Sequence, residues 1–176
     1  VAEGRYEIPL YNPSLVEFEQ HTDDWWKAFC ESTKILTNKI NMNEVDGISI
    51  SNQRETLALL DKEGNSVMPA ILWMDKRCLK EVEELNNLVG GNRIHKITGK
   101  PKDPCPCVYS ILWIKKNKPD LFKKIYCFAD VQTFLVKKLS GEFNTGWISS
   151  DPHGMFDIVN KRVVEFGSVD DVIESC

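Results

Sequence analysis

The sequence predicts an α/β fold on three observations. Short apolar runs alternate along the chain with longer stretches whose apolar residues recur at helical spacing. Two of the apolar runs stop abruptly in dense polar clusters, at positions 52–56 and 73–77. Neither repeats nor low-complexity segments interrupt the alternation. At 176 residues, 42% hydrophobic and 27% charged, the chain is long enough for one domain or one large piece of a bigger protein.

Each element follows from local pattern. Residues 1–8, from Val1 to Ile8, alternate weakly and read as a strand ended by Pro9 and Pro13. Thr22-Asp23-Asp24 is an acidic helix start, and Trp25, Phe29, Leu36 and Ile40 follow at helical spacing, with Trp26, Cys30 and Thr33 beside them. The two tryptophans read as core anchors. Residues 45–50 form a second strand that runs into Asn52, Gln53, Arg54, Glu55 and Thr56. Residues 57–60 are a third strand, and Asp61-Lys62-Glu63-Gly64-Asn65 supplies the turn after it. Residues 67–73 are extended again and end in Trp73-Met74-Asp75-Lys76-Arg77.

Cys78, Val82, Leu85 and Val89 mark an amphipathic helix closed by Gly90-Gly91. Lys100-Pro101-Lys102-Asp103-Pro104 is loop. Ile111, Leu112 and Ile114, near Trp113, make a helix that Lys118-Pro119-Asp120 breaks. Residues 125–128 read as a strand. Asp130 is placed to cap a helix carrying Val131, Phe134, Leu135 and Leu139, with Gly141 just past its end. The tail from Asn144 is mixed loop and strand.

Bulk chemistry excludes several function classes. A net charge of -4 gives no electrostatic reason to expect nucleic acid. No apolar run approaches the ~20 residues of a membrane span, and the chain does not open on a signal peptide. Cys30, Cys78, Cys105, Cys107, Cys127 and Cys176 lie at irregular spacings and read as reduced thiols of a cytoplasmic protein. Cys105-Pro106-Cys107 is spaced too tightly for a zinc knuckle and has no second pair, so no metal site is expected from it. There is no phosphate loop, dinucleotide fingerprint or nucleophile elbow. His21, His95 and His153 lie in different elements and read as surface or structural groups.

The two polar clusters remain. Arg54 offers a rigid fork of donors and Glu55 offers acceptors, so together they suit vicinal hydroxyls, each both donor and acceptor. The bland alternative is a surface ion pair of little energetic consequence. Trp73 beside Asp75 and Arg77 adds an aromatic face to polar groups, as suits a sugar with apolar C–H faces. Trp73 also fits as a packing residue, and Asp75 with Arg77 as a local ion pair ordering the turn. Both clusters follow an apolar strand, so both are expected to open on one edge of the same sheet.

In order along the chain, Asn52-Gln53-Arg54-Glu55-Thr56, Leu59-Leu60-Asp61 with its Gly-containing turn, and Pro69-Ala70-Ile71-Leu72-Trp73-Met74-Asp75-Lys76-Arg77 resemble the FGGY family of carbohydrate kinases. Glu19-Gln20 with Asp24-Trp25-Trp26-Lys27-Ala28, then Ile97-Thr98-Gly99, Trp113-Ile114 and Leu139-Ser140-Gly141, extend the resemblance over nearly the whole chain. It implies an actin-like ATPase fold of ribonuclease-H-like type paired with a second similar domain. It also implies ATP and magnesium between the domains and phosphoryl transfer to a sugar or polyol. By that match Arg54, Glu55 and Trp73 contact the substrate, with Gln53 and Asp75 beside them. Asp103-Pro104 is followed by Cys105 where glycerol kinases place a substrate-binding Tyr, and Ser110 stands at a Lys position. Those departures point toward a larger polyol or a ketose.

The resemblance further implies that residues 1–176 are part of an N-terminal kinase domain. On that reading the family's first strand hairpin, with its phosphate loop, precedes Val1. The general-base Asp and the second domain lie beyond Cys176. No catalytic residue is therefore expected within this segment, and alone it is expected not to phosphorylate. A homodimer is compatible with the resemblance. A non-catalytic carbohydrate-binding or regulatory domain of the same fold, or an actin-like assembly protein, are the competing expectations.

Overall fold

The computed structural model describes residues 2–90 and 92–163; Val1, Gly91 and the tail through Cys176 lie outside the described residues. Strand β1 (Glu19–Gln20) leads into helix α1 (Thr22–Thr37). Strands β2 (Ala58–Leu60) and β3 (Ala70–Ile71) follow, then helices α2 (Leu79–Val89), α3 (Arg93–Thr98), α4 (Cys107–Asn117) and α5 (Pro119–Phe122). Strand β4 (Cys127–Ala129) precedes α6 (Val131–Ser140) and the single turn α7 (Trp147–Ser150). A short hairpin of β5 (Phe156–Asp157) and β6 (Arg162–Val163) closes the described chain.

Local chemistry accounts for the helix limits. Asp23 and Asp24 sit in the first turn of α1 and Lys34 in its last, the arrangement the helix dipole favours. The Asp130 carboxylate accepts the Thr133 N–H at 2.8 Å and so caps α6. Gly90 (φ 86°) ends α2 and Gly141 (φ 80°) ends α6, both in the left-handed region.

The central strand is β2. It pairs antiparallel with β4, Ala58 opposite Ala129 and Leu60 opposite Cys127. On its other side Leu57 and Ile71 exchange backbone hydrogen bonds of 2.8 and 2.9 Å, which joins β2 to β3, itself antiparallel to β1. Successive side chains of β2 point to opposite faces. Ala58 and Leu60 pack with Trp25, Ala129 and Phe134 beneath α1 and α6. Leu57 and Leu59 pack with Ile71, Ile111 and Ile114 beneath α4. Both faces are covered, which explains an unbroken apolar run at 57–60. A third apolar cluster, Val82, Leu85, Ile94, Tyr109 and Leu112, joins α2 and α3 to α4.

Two predicted strands are corrected. Residues 2–10 form no strand, and neither do residues 45–50, where Val45 and Ile48 are exposed. Alternating side chains favour extension, but a ladder needs a partner, and among the described residues none pairs with either stretch. Residues 2–10 instead lie along α1. The Lys39 ammonium donates to the Glu3 carbonyl at 2.7 Å, and a Cβ at Gly4 would stand 2.2 Å from the Ser32 carbonyl oxygen. Ile40 lies beyond α1, and the extended stretch at 67–73 pairs regularly only over β3. Helices α3 and α7 stand where no helix was expected.

Candidate functional site

The polar residues 52–56 enter β2; they do not terminate a strand, which corrects the expected strand tip. The antiparallel register brings the two clusters together from opposite strand ends, one before β2 and one after β3. Leu57 opposite Ile71 brings Thr56 and Leu72 to the same end of the pair. Continued by two residues, that register sets Glu55 opposite Trp73. The ladder stops there because Glu55 adopts a positive φ of 54°, rare for a residue with a side chain.

Asn52 and Gln53 are tethers. The Asn52 amide donates to the Gln53 carbonyl at 2.9 Å and to the Asp130 carboxylate at 3.2 Å. The Gln53 amide donates to Gln20 Oε1 at 3.0 Å, which also accepts the Trp25 indole N–H at 2.9 Å. The turn carrying Arg54 and Glu55 is thereby fixed to β1, α1 and α6 at once.

Arg54 and Glu55 sit beside one another, Nε to Oε1 at 3.7 Å. Arg54 also donates to Asp151 Oδ2 at 2.5 Å, and Lys100 donates to that same oxygen at 2.6 Å. Burial pushes the Asp151 carboxyl up, but the hydrogen bonds from Lys100 and Arg54 outweigh it and hold the group below its ordinary value. Trp73 is exposed. Its carbonyl accepts the Cys105 thiol at 3.4 Å, and Cys105 N–H donates to Asp103 at 2.8 Å. Burial raises the Cys105 pKa, with Asp103 and Glu55 adding to the shift, so this thiol is near enough to both to feel their charge. The loop between α3 and α4 thus gathers Lys100, Asp103 and Cys105 around Arg54, Glu55 and Trp73.

Asp75 belongs to a different environment. It is 2% exposed and its carboxylate accepts four hydrogen bonds: from Phe18 N–H at 2.7 Å, and from Arg77 N–H, Nε and Nη2 at 2.9, 3.0 and 2.8 Å. Arg77 also donates to Glu19 at 2.7 Å and lies 5.2 Å from the Trp113 ring centre. Of the predicted residues, then, Arg54 and Trp73 are exposed, Glu55 is partly buried beside Arg54, Gln53 tethers their turn, and Asp75 is enclosed. Ser110 is buried beside Cys78, its hydroxyl 3.6 Å from the sulfur. Sequence reasoning missed Lys100 and Asp151: it read Lys100 only as loop and Asp151 only as part of the mixed tail from Asn144.

A family description matches residues 1–163: the N-terminal domain of the FGGY family of carbohydrate kinases. The chain belongs to that family. Among curated FGGY relatives, it is 35% identical over 121 residues to a xylulose kinase of Staphylococcus xylosus, covering 69% of this chain and 25% of that protein. It is 30% identical over 161 residues to a glycerol kinase of Thermococcus kodakarensis, covering 88% of this chain and 32% of that protein. The chain thus spans about a quarter to a third of the length of these relatives. A solved xylulose kinase from Rhodospirillum rubrum superposes with a TM-score of 0.86 at 21% identity, over 95% of this chain and 34% of that one. These likenesses give the chain the actin-like ATPase fold.

FGGY kinases use ATP and a divalent metal. Among the described residues no three His, Cys, Asp or Glu side chains converge as metal ligands. Of the acidic groups described above, Asp151 is paired with Arg54 and Lys100, Glu55 lies beside Arg54, and Asp75 is paired with Arg77.

Proposed function

We propose that this chain is the acceptor-binding part of a cytoplasmic carbohydrate kinase that phosphorylates a hydroxyl of a ketose or polyol. The observation that carries the reading is Arg54 and Glu55 side by side at the same end of the β2–β3 pair as the exposed Trp73, at positions that resemble the family's substrate motif. Arg54 keeps donors beyond the one it gives Asp151, and these can point at hydroxyl oxygens. Glu55 accepts from the hydroxyl protons, and the Trp73 indole covers an apolar sugar face. Gln53 fixes the turn through Gln20, and Asp75 holds the turn after Trp73 from below, so both act by positioning.

The reading is tested on the intact protein by ADP release with magnesium and ATP across a panel of glycerol, larger polyols and ketoses. The expected result is efficient turnover of one ketose or larger polyol and weaker turnover of glycerol, since Cys105 stands where a substrate-binding Tyr would. Binding of a sugar without ADP release would favour a non-catalytic carbohydrate-binding domain. Neither binding nor turnover with any member of the panel would overturn the proposal.

A further inference from the structure

We propose that Asp151 is a charge filter for the acceptor site: its carboxylate fills the oxyanion position made by Arg54 and Lys100, so the site takes neutral sugars and refuses sugar acids. The inference rests on the reading of Arg54 as an acceptor contact and deepens it.

Arg54 Nη2 and Lys100 Nζ converge on one oxygen, Asp151 Oδ2, from two separate loops. Two cations aimed at a single point are what a carboxylate or phosphate oxygen requires. Here the protein supplies that oxygen itself. Asp151 is fixed in place, because Pro152 and His153 beside it are buried and the Gly154 N–H donates to the Asp151 carbonyl at 3.2 Å. Gly154 turns the chain away with φ 72°.

Stability alone does not account for the arrangement. The Lys100 side chain is 13% exposed, but that of Arg54 is 45% exposed, and an ion pair so close to solvent as Arg54 with Asp151 contributes little to folding. Its consequence lies in the local charge. With Asp151 in place, Arg54 and Lys100 are balanced by Asp151 and Glu55. A hydroxyl can still accept from the remaining Arg54 donors, since a guanidinium carries five. A sugar carboxylate approaching the remaining Arg54 donors would meet the carboxylates of Asp151 and Glu55. Like charges set against each other are a means of rejecting a wrong ligand. Removing the Asp151 charge would leave two cations against Glu55 and open a carboxylate position.

The test compares kcat/KM of the intact protein for its best neutral substrate and for D-gluconate, in wild type, Asp151→Asn, Asp151→Ser, Asp151→Glu and Lys100→Met. Circular dichroism first establishes that each variant is folded. The wild type is expected to favour the neutral substrate by about 100-fold or more, and D151N and D151S to shift that ratio toward gluconate by at least about 10-fold. D151E should restore discrimination. K100M keeps the Asp151 carboxylate and should still refuse gluconate, so a K100M shift as large as that of D151N would overturn the charge filter. A wild type that uses gluconate as well as its neutral substrate would also overturn it, with no variant needed. A ratio indifferent to position 151, in a protein active on neutral sugars, defeats the filter and leaves the kinase reading standing. A protein that phosphorylates neither class defeats both.

Discussion

Asp75 and Arg54 are both charged residues close to the ends of apolar runs, yet the fold uses them in opposite ways. Arg54 keeps nearly half of its side chain in solvent beside Glu55, whereas the Asp75 side chain is 1% exposed against an Arg77 side chain that is 5% exposed. A carboxylate so enclosed is tolerable because every donor around it is used, two of them backbone N–H groups. Removing it would leave the Arg77 guanidinium buried with Glu19 as its main counter-charge and would orphan the Phe18 and Arg77 N–H groups. Asp75→Ala is therefore expected to lower stability by about 3–5 kcal/mol, as loss of one member of a buried ion pair does. Equilibrium urea unfolding measures it, and a loss under 1 kcal/mol would show that the cluster does not hold the turn. The alternative left open by the sequence, an ion pair that orders the turn, is the one the geometry supports for Asp75.

At the scale of elements, caps and apolar period were legible and strand pairing was not. Asp130, Gly90 and Gly141 sit at helix ends as their chemistry requires, and Trp25 and Ala28 turn the buried face of α1 inward. Periodicity could not say whether residues 2–10 or 45–50 have a neighbouring strand, because pairing is a property of distant chain. The same limit concealed Asp151, which reaches Arg54 across 97 positions. The Asp130 cap has a reach beyond its helix, since the same carboxylate accepts from Asn52 and so ties α6 to the site. Asp130→Ala is expected to cost about 0.5–2 kcal/mol through the cap, or about 2–4 °C of Tm per kcal/mol in a chain of this size. Asp130→Asn, which retains an acceptor, should lose less in the same thermal melt. Equal losses for the two variants would argue against a capping role.

Across the whole molecule, one buried base links stability to pH. Burial drives the His153 imidazole below its ordinary pKa, against the opposing charge of Asp130 and nearby carbonyls. The unfolded chain therefore takes up the proton first. The stability owed to a neutral His153 is complete above about pH 6.5 and declines as pH falls from there toward the lower folded value. Urea unfolding at pH 7.5 and 5.5 should show that decline in the wild type and a shallower one in His153→Gln; equal slopes would remove His153 as the cause. The same packing that buries His153 holds Asp151 against Arg54, so fold and site meet on one short turn. The account stands on Arg54 as a contact for the acceptor sugar, and steady-state kinetics of Arg54→Ala in the intact protein tests it most directly. The loss of charged hydrogen bonds, about 1.5–3 kcal/mol, should raise the sugar KM by roughly 10-fold to 100-fold and leave the KM for ATP nearly unchanged. A variant with wild-type KM for the sugar and wild-type turnover would contradict the account.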